Sequence, residues 1–270
     1  MKRKHLLGLC GALLLLLALA VGCTRPDEQA QPALRVFVAA SLTDVLTEIA
    51  EAYEQETGRQ IEFNFASSGA LAQQITAANA ADVFISASER WMDHIETAGR
   101  LQPGTRGTIL HNQLVVVANP ASPYAPLDDA SALCGLDLRF LSIGDPAHVP
   151  AGRYAQAWLE SVDCDRGASL WAQLQPKLLP APDVRAALTQ VEGRSDIVGI
   201  VYRTDYLARA ETFRLLYAVP LTEGPSIQYA AASLAEANDP EGAAAFLAYL
   251  HAPEAQQRFS AHGFLIPEQP

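Results

Sequence analysis

From Leu34 onward the chain alternates short apolar runs with segments whose apolar residues recur every three or four positions. Leu34-Arg35-Val36-Phe37-Val38-Ala39-Ala40 predicts a buried strand. Leu42, Val45, Leu46, Ile49 and Tyr53 then keep helical spacing until Gly58 stops the helix. The same reading predicts strands over 61–66, 82–86, 114–118, 138–143, 197–202, 213–219 and 227–234. Helices are expected over 71–78, 89–98, 153–162, 169–174, 184–192, 241–250 and 254–262. Strands alternating with helices predict an α/β protein with mostly parallel sheets flanked by helices. The length suits two lobes better than one sheet. Pro and Ser cluster after Asn119-Pro120, which places the first crossing there, and Gly224-Pro225 marks the return. The expected organisation is a discontinuous first lobe, 33–118 plus 225–270, and a continuous second lobe, 119–224.

Residues 1–23 carry a different pattern. Lys2, Arg3 and Lys4 precede an apolar run that ends in Ala20-Val21-Gly22-Cys23. A basic start, an apolar stretch and small residues at its end predict an export signal. The last four residues resemble a bacterial lipobox, which would make Cys23 the lipidated N-terminus. Ala18-Leu19-Ala20 also fits a cleavage site that releases a soluble protein. Residues 24–32 are polar, contain Pro26 and Pro32, and predict a flexible tether. With Cys10 and Cys23 assigned to the signal, Cys134 and Cys164 remain. Export makes a disulfide between them the expectation, with two free buried thiols as the alternative.

Half of the residues are hydrophobic and 18% are charged, which supports a large core and argues against disorder. The formal net charge is -11. Removing residues 1–23 takes the 19 basic residues to 16 against 30 acidic ones, a net charge of -14. Among the remaining bases Lys177 is the single lysine. Nucleic acid is excluded as a partner, because its binding needs clustered Lys and Arg.

The chemistry concentrates at strand-to-helix junctions, where open α/β sheets bind ligands and helix starts present free N–H groups. Ser41 is expected at an N-cap, with Asp44 completing a capping signature, or as a hydroxyl donor to an anion. Ser67-Ser68-Gly69 places two hydroxyls beside a glycine at the neighbouring strand end. Pro150 sets Ala151 at a helix start. Asp183 is expected to cap a helix whose first residue is Val184, with Arg185 solvated. Tyr202 ends the strand Gly199-Ile200-Val201-Tyr202 and either donates at a cleft or packs in the core. Asp145 and His148 have no partner at metal-ligand spacing.

Six stretches in order resemble the bacterial periplasmic molybdate-binding proteins, the substrate receptors of molybdate ABC transporters. They are AASLTDVL, FASSGALAQQI, ADVFISASERWMD, IGDPAHVPAGRYA, KLLPAPDVRAALTQVEG and DIVGIVYRTDY. The resemblance covers roughly residues 33–267. It implies a two-lobe, type II-like periplasmic-binding-protein fold that closes on its ligand in the interlobe cleft. It also implies molybdate or tungstate as ligand, held by Ser41, Ser68, Ala151, Val184 and Tyr202. No cofactor and no directly ligated metal cation are implied, since molybdenum arrives as an oxyanion. The implied partner is an inner-membrane ABC permease, and the implied setting is the periplasm or cell envelope, with a monomeric protein anchored by lipid at Cys23. Gly69 departs from members that carry a further serine there.

Molybdate near neutral pH is a dianion with no proton to offer, so a matching site should hold donors and exclude carboxylates. Two alternatives remain open at this stage. A receptor for sulfate, another oxyanion or a metal chelate could share the architecture, with Tyr202 and Tyr206 as iron-type ligands. A secreted serine hydrolase could use Ser41 or Ser68, although no G-x-S-x-G elbow is present.

Overall fold

Val36, Phe37 and Val38 put bulky side chains on both faces of one strand, so β1 (Leu34–Ala39) has to be covered twice. In the computed structural model, which describes residues 32–78, 81–164 and 167–268, it is. Leu34, Val36 and Val38 pack with Leu42, Leu46 and Ile49, the last two on α1 (Thr43–Thr57). Phe37 points the other way and packs with Leu71 and Ile75 of α2 (Ser68–Ala77). Gly58 ends α1 at φ +70°, a left-handed geometry that glycine adopts without steric cost. The expected export signal, Cys23 and the tether up to residue 31 lie outside the described residues.

The first sheet runs β2 (Ile61–Ala66), β1, β3 (Val83–Ser86), β12 (Ile227–Ser233), β4 (Gly107–Asn112). The second runs β11 (Arg214–Ala218), β5 (Leu114–Ala118), β10 (Ile197–Tyr202), β6 (Phe140–Gly144), β9 (Leu178–Ala181). Both are mixed rather than mostly parallel. β1 lies parallel to β2 and β3, and β6 lies parallel to β9 and β10. β12 is antiparallel to β3 and β4, and β5 to β10 and β11. The antiparallel pairs of these two sheets all involve β5 or β12, the strands by which the chain enters one lobe and re-enters the other. Neither is reached through the helical crossover that a parallel neighbour requires.

The first crossing is earlier than the sequence suggests. β5 pairs within the second sheet, so the chain changes lobe at Gln113 and not after Asn119-Pro120. The Pro/Ser cluster is a turn beyond β5. The boundary falls at the polar stretch His111-Asn112-Gln113, between two strands that join different sheets. Two further strands of these sheets were not anticipated, and both lie at sheet edges. β9 contains Pro180, which an edge tolerates. β4 mixes Gly107, His111 and Asn112 with apolar residues.

Helices α3 (Glu89–Thr97), α8 (Pro240–Leu250) and α9 (Pro253–Ala261) join α1 and α2 around the first sheet. The second sheet carries α4 (Pro150–Ser161), α5 (Leu170–Leu174), α6 (Val184–Glu192) and the short α7 (Arg203–Leu207). A two-strand ribbon, β7 (Asp163–Cys164) and β8 (Ala168–Ser169), follows α4. A disulfide links Cys134 to Cys164, with Cα atoms 5.8 Å apart and a sequence separation of 30. Closing a loop of that length stabilises the fold by roughly 3–4 kcal/mol in the chain-entropy model. The Cys134→Ser/Cys164→Ser double variant should lose about that much in a denaturant titration.

Candidate binding site

The carboxyl ends of β1, β2 and β3 face helix starts of the second lobe across a small pocket. Ser41, Ser68, Ala151, Val184 and Tyr202 all line it. The two lobes contribute unlike chemistry, hydroxyls at Ser41 and Ser68 from the first and helix starts plus a phenol from the second. All five residues are buried, Ser41 being the most open at 4% exposure.

Ser68 is the first residue of α2, and the cap is its neighbour Ser67, whose hydroxyl accepts from the Ala70 N–H at 3.4 Å. The Ser68 oxygen accepts from the Ala87 N–H at 3.0 Å. One lone pair is thereby filled from behind, and its proton remains to be donated.

Ser41 is not an N-cap. It sits inside a single 3-10 turn, Ala40–Leu42, and α1 begins at Thr43 without a side-chain cap. Its hydroxyl instead meets the Tyr229 hydroxyl at 2.8 Å. Asp44, expected to complete a capping box, reaches the other lobe and pairs with Arg185 at 2.6 Å. The extra turn carries Ser41 out of capping position.

Ala151 and Val184 open α4 and α6. Pro150 occupies the first turn of α4, and Asp183 caps α6 by accepting from the Ala186 N–H at 2.8 Å. First-turn N–H groups have no acceptor within their own helix and are free to bind an anion. Asp183 also lines the pocket, but its carboxylate is committed to this cap.

Tyr202 ends β10, and its buried hydroxyl sits beside that of Tyr229 without a well-formed hydrogen bond to any described residue. Burial holds the Tyr202 and Tyr229 phenols far above their ordinary range, so both keep their protons. An orphaned buried hydroxyl in a pocket wall is expected of a group reserved for a ligand.

Arg185 is bound, not solvated. Its guanidinium lies 2.7 Å from Asp205 of its own lobe and 2.6 Å from Asp44 of the other. Burial works against its charge, but Asp205 and Asp44 together raise its affinity for the proton. With two carboxylates on it, Arg185 brings no net positive charge to the pocket. A second bridge joins the lobes where the Gly69 N–H donates to the His148 carbonyl at 3.1 Å. A Cβ on residue 69 would lie 2.4 Å from that oxygen and 2.7 Å from the Trp91 ring. The departure at Gly69 therefore has a structural meaning. A serine there would hold the lobes apart in this conformation.

His148 pairs with Asp145 at 3.2 Å, and the Ala147 N–H, ahead of His148, keeps the Asp145 carboxyl below its usual range. Among the described residues no group of three or more His, Cys, Asp or Glu could hold a metal ion. No histidine hydrogen-bonds Ser41 or Ser68 among those residues, so neither has the base that a nucleophile needs. Tyr206 does not line the pocket. Tyr229, Asn112 and Asp205 escaped the sequence reading because their strands and short helix carry no local ligand pattern. A polar residue ending an apolar run, as at Asn112, is the one signal available.

A profile of the family described as bacterial extracellular solute-binding protein matches residues 34–265. The chain belongs to this family. This solute-binding protein is 39% identical over 236 residues to the molybdate-binding protein ModA of Escherichia coli, covering 86% of its own length and 89% of the relative's. It is 33% identical over 232 residues to the ModA of Haemophilus influenzae, covering 85% and 88%. Among solved structures, the periplasmic molybdate-binding protein of Azotobacter vinelandii superposes with a TM-score of 0.76, spanning 87% of this chain and 100% of the other. At 23% identity that match speaks for the fold.

Proposed function

We propose that this solute-binding protein captures molybdate, and also tungstate, in the pocket between its lobes and delivers it to an ABC transporter permease. The observation that carries the reading is the direction of the donors. Ser68 has one acceptor position taken by a backbone N–H and a proton left to give, Tyr202 is a buried phenol in the wall, and two helix starts line the same space. Such a set suits an oxyanion that only accepts hydrogen bonds. Its relatives in Escherichia coli and Haemophilus influenzae bear the name of molybdate-binding proteins, which supports the same ligand.

Donors from both lobes converge on one ligand, so binding favours the closed arrangement by its differential affinity for it. Export through residues 1–23, with lipid at Cys23, would place the protein at the cell envelope as a monomer. Neutral donors also reconcile the ligand with the acidity of the chain. Net charge governs long-range encounter, whereas affinity comes from the pocket.

Calorimetry with molybdate, tungstate, sulfate and phosphate tests the reading. Tight binding of the first two and weak binding of the others is expected. Equal or absent binding of all four overturns it. Ser68→Ala should weaken molybdate binding by about 1.5–3 kcal/mol, the scale of a hydrogen bond to a charged group. Unchanged affinity in that variant removes Ser68 from the site.

A further inference from the structure

A run of hydrogen bonds leads from the lobe crossing to Ser41, and its direction is fixed as far as Tyr229. The Gln113 N–H can only donate, and it donates to the Asn112 side chain at 2.8 Å. That contact identifies the receiving atom as the carboxamide oxygen. The other end of the amide is therefore the nitrogen, which donates to Thr204 Oγ1 at 2.9 Å and to Tyr229 Oη at 3.1 Å. Tyr229 is 0% exposed, and a buried phenol proton must find an acceptor. The Ser41 oxygen lies within reach at 2.8 Å, and the Tyr202 hydroxyl is also beside Tyr229; we assign the proton to Ser41. Ser41 thus receives a proton from behind and turns its own toward the pocket it lines.

We propose that Tyr229 and Asn112 are specificity-determining positioning residues, which fill one of the two acceptor positions of the Ser41 hydroxyl from behind and so favour its proton facing a fully ionised oxyanion over a protonated one. This rests on the reading that Ser41 touches the bound anion. An oxyanion carrying a proton would set O–H against O–H there, while a bare dianion accepts. Without Tyr229 behind it, Ser41 could turn and accept from a protonated ligand, and the discrimination would fall. Asn112 also joins the lobes through Thr204 of α7, which ties the alignment to the hinge.

The test is calorimetry with molybdate and with phosphate near pH 7 on Ser41→Ala, Tyr229→Phe, their double variant and Asn112→Asp. Ser41→Ala should weaken molybdate roughly tenfold. Tyr229→Phe should come close to the same loss, and the double variant should be no worse than Ser41→Ala. The ratio of phosphate to molybdate affinity should rise more in Tyr229→Phe than in Ser41→Ala. Asn112→Asp keeps the shape but cannot donate to Tyr229. It draws the phenol proton to itself, reverses the run and should weaken molybdate as well, even if Tyr229→Phe folds poorly. If Ser41→Ala binds as tightly as the parent, the underlying site reading fails and the inference with it. If Ser41→Ala is weakened while Tyr229→Phe and Asn112→Asp keep parental affinity and selectivity, or if the double loss is additive, the site stands and the inference is overturned.

Discussion

Gly152→Ala should sharply lower the melting temperature and abolish tight molybdate binding together. A Cβ on Gly152 would fall 1.7 Å from the Gly144 carbonyl oxygen and 2.5 Å from its carbonyl carbon. Both atoms are backbone, so no rotamer change relieves the clash. The first turn of α4 would have to back away from β6, taking the Ala151 N–H with it. Gly152 is absent from the positive-φ glycines, and alanine otherwise favours a helix by about 1 kcal/mol over glycine. A net loss therefore reports the contact alone. We expect roughly 3 kcal/mol or more, since backbone overlap exceeds ordinary overpacking. Thermal unfolding with and without molybdate measures both effects, and a parental melting temperature with parental affinity would refute the packing argument.

That contact also shows what the sequence made legible. The strand-to-helix alternation is written locally, in the Leu34–Ala39 run and the spacing from Leu42 to Tyr53, because each element buries its own apolar face. The five residues brought to one pocket were each visible at a junction, since helix starts and strand ends follow from local pattern. What stayed hidden depends on pairing between distant segments. Nothing near Ile109–Ala118 says that its two halves join different sheets. The fate of the Ser41 hydroxyl is decided by Tyr229, 188 positions away. Arg185 looked solvated because Asp44 is 141 positions distant and belongs to the other lobe. Edge strands such as β9 were missed for the opposite reason. They need little apolar pattern, because one side of them is left unpaired.

The second large effect is expected at Arg185 and should depend on pH. Asp205 is fully buried, and burial pushes its carboxyl up to about 7, although Arg185 pulls the other way. In the unfolded chain an aspartate titrates near 3.9. A folded-state value above the unfolded one means that the folded protein holds the extra proton. The stability from that proton is present below about pH 4 and drains away as pH rises through 7. Arg185→Met removes the partner that makes the ionised form tolerable. At pH 5 Asp205 is protonated in parent and variant alike, and the cost should be small. Near pH 8.5 the variant must bury an unpaired carboxylate or hold its proton against the solvent, and the loss should grow by up to about 2 kcal/mol, roughly 1.4 kcal/mol for each pH unit above 7. Asp44, half-exposed at 43%, regains water and adds little. Adding Asp205→Asn should remove most of the alkaline penalty, because no buried charge is then left behind. Ligand-free urea titrations at the two pH values separate the cases. An equal loss at both would mean that Arg185 serves through packing, and its ion pair with Asp205 would cease to explain why a buried carboxylate sits behind a pocket for anions.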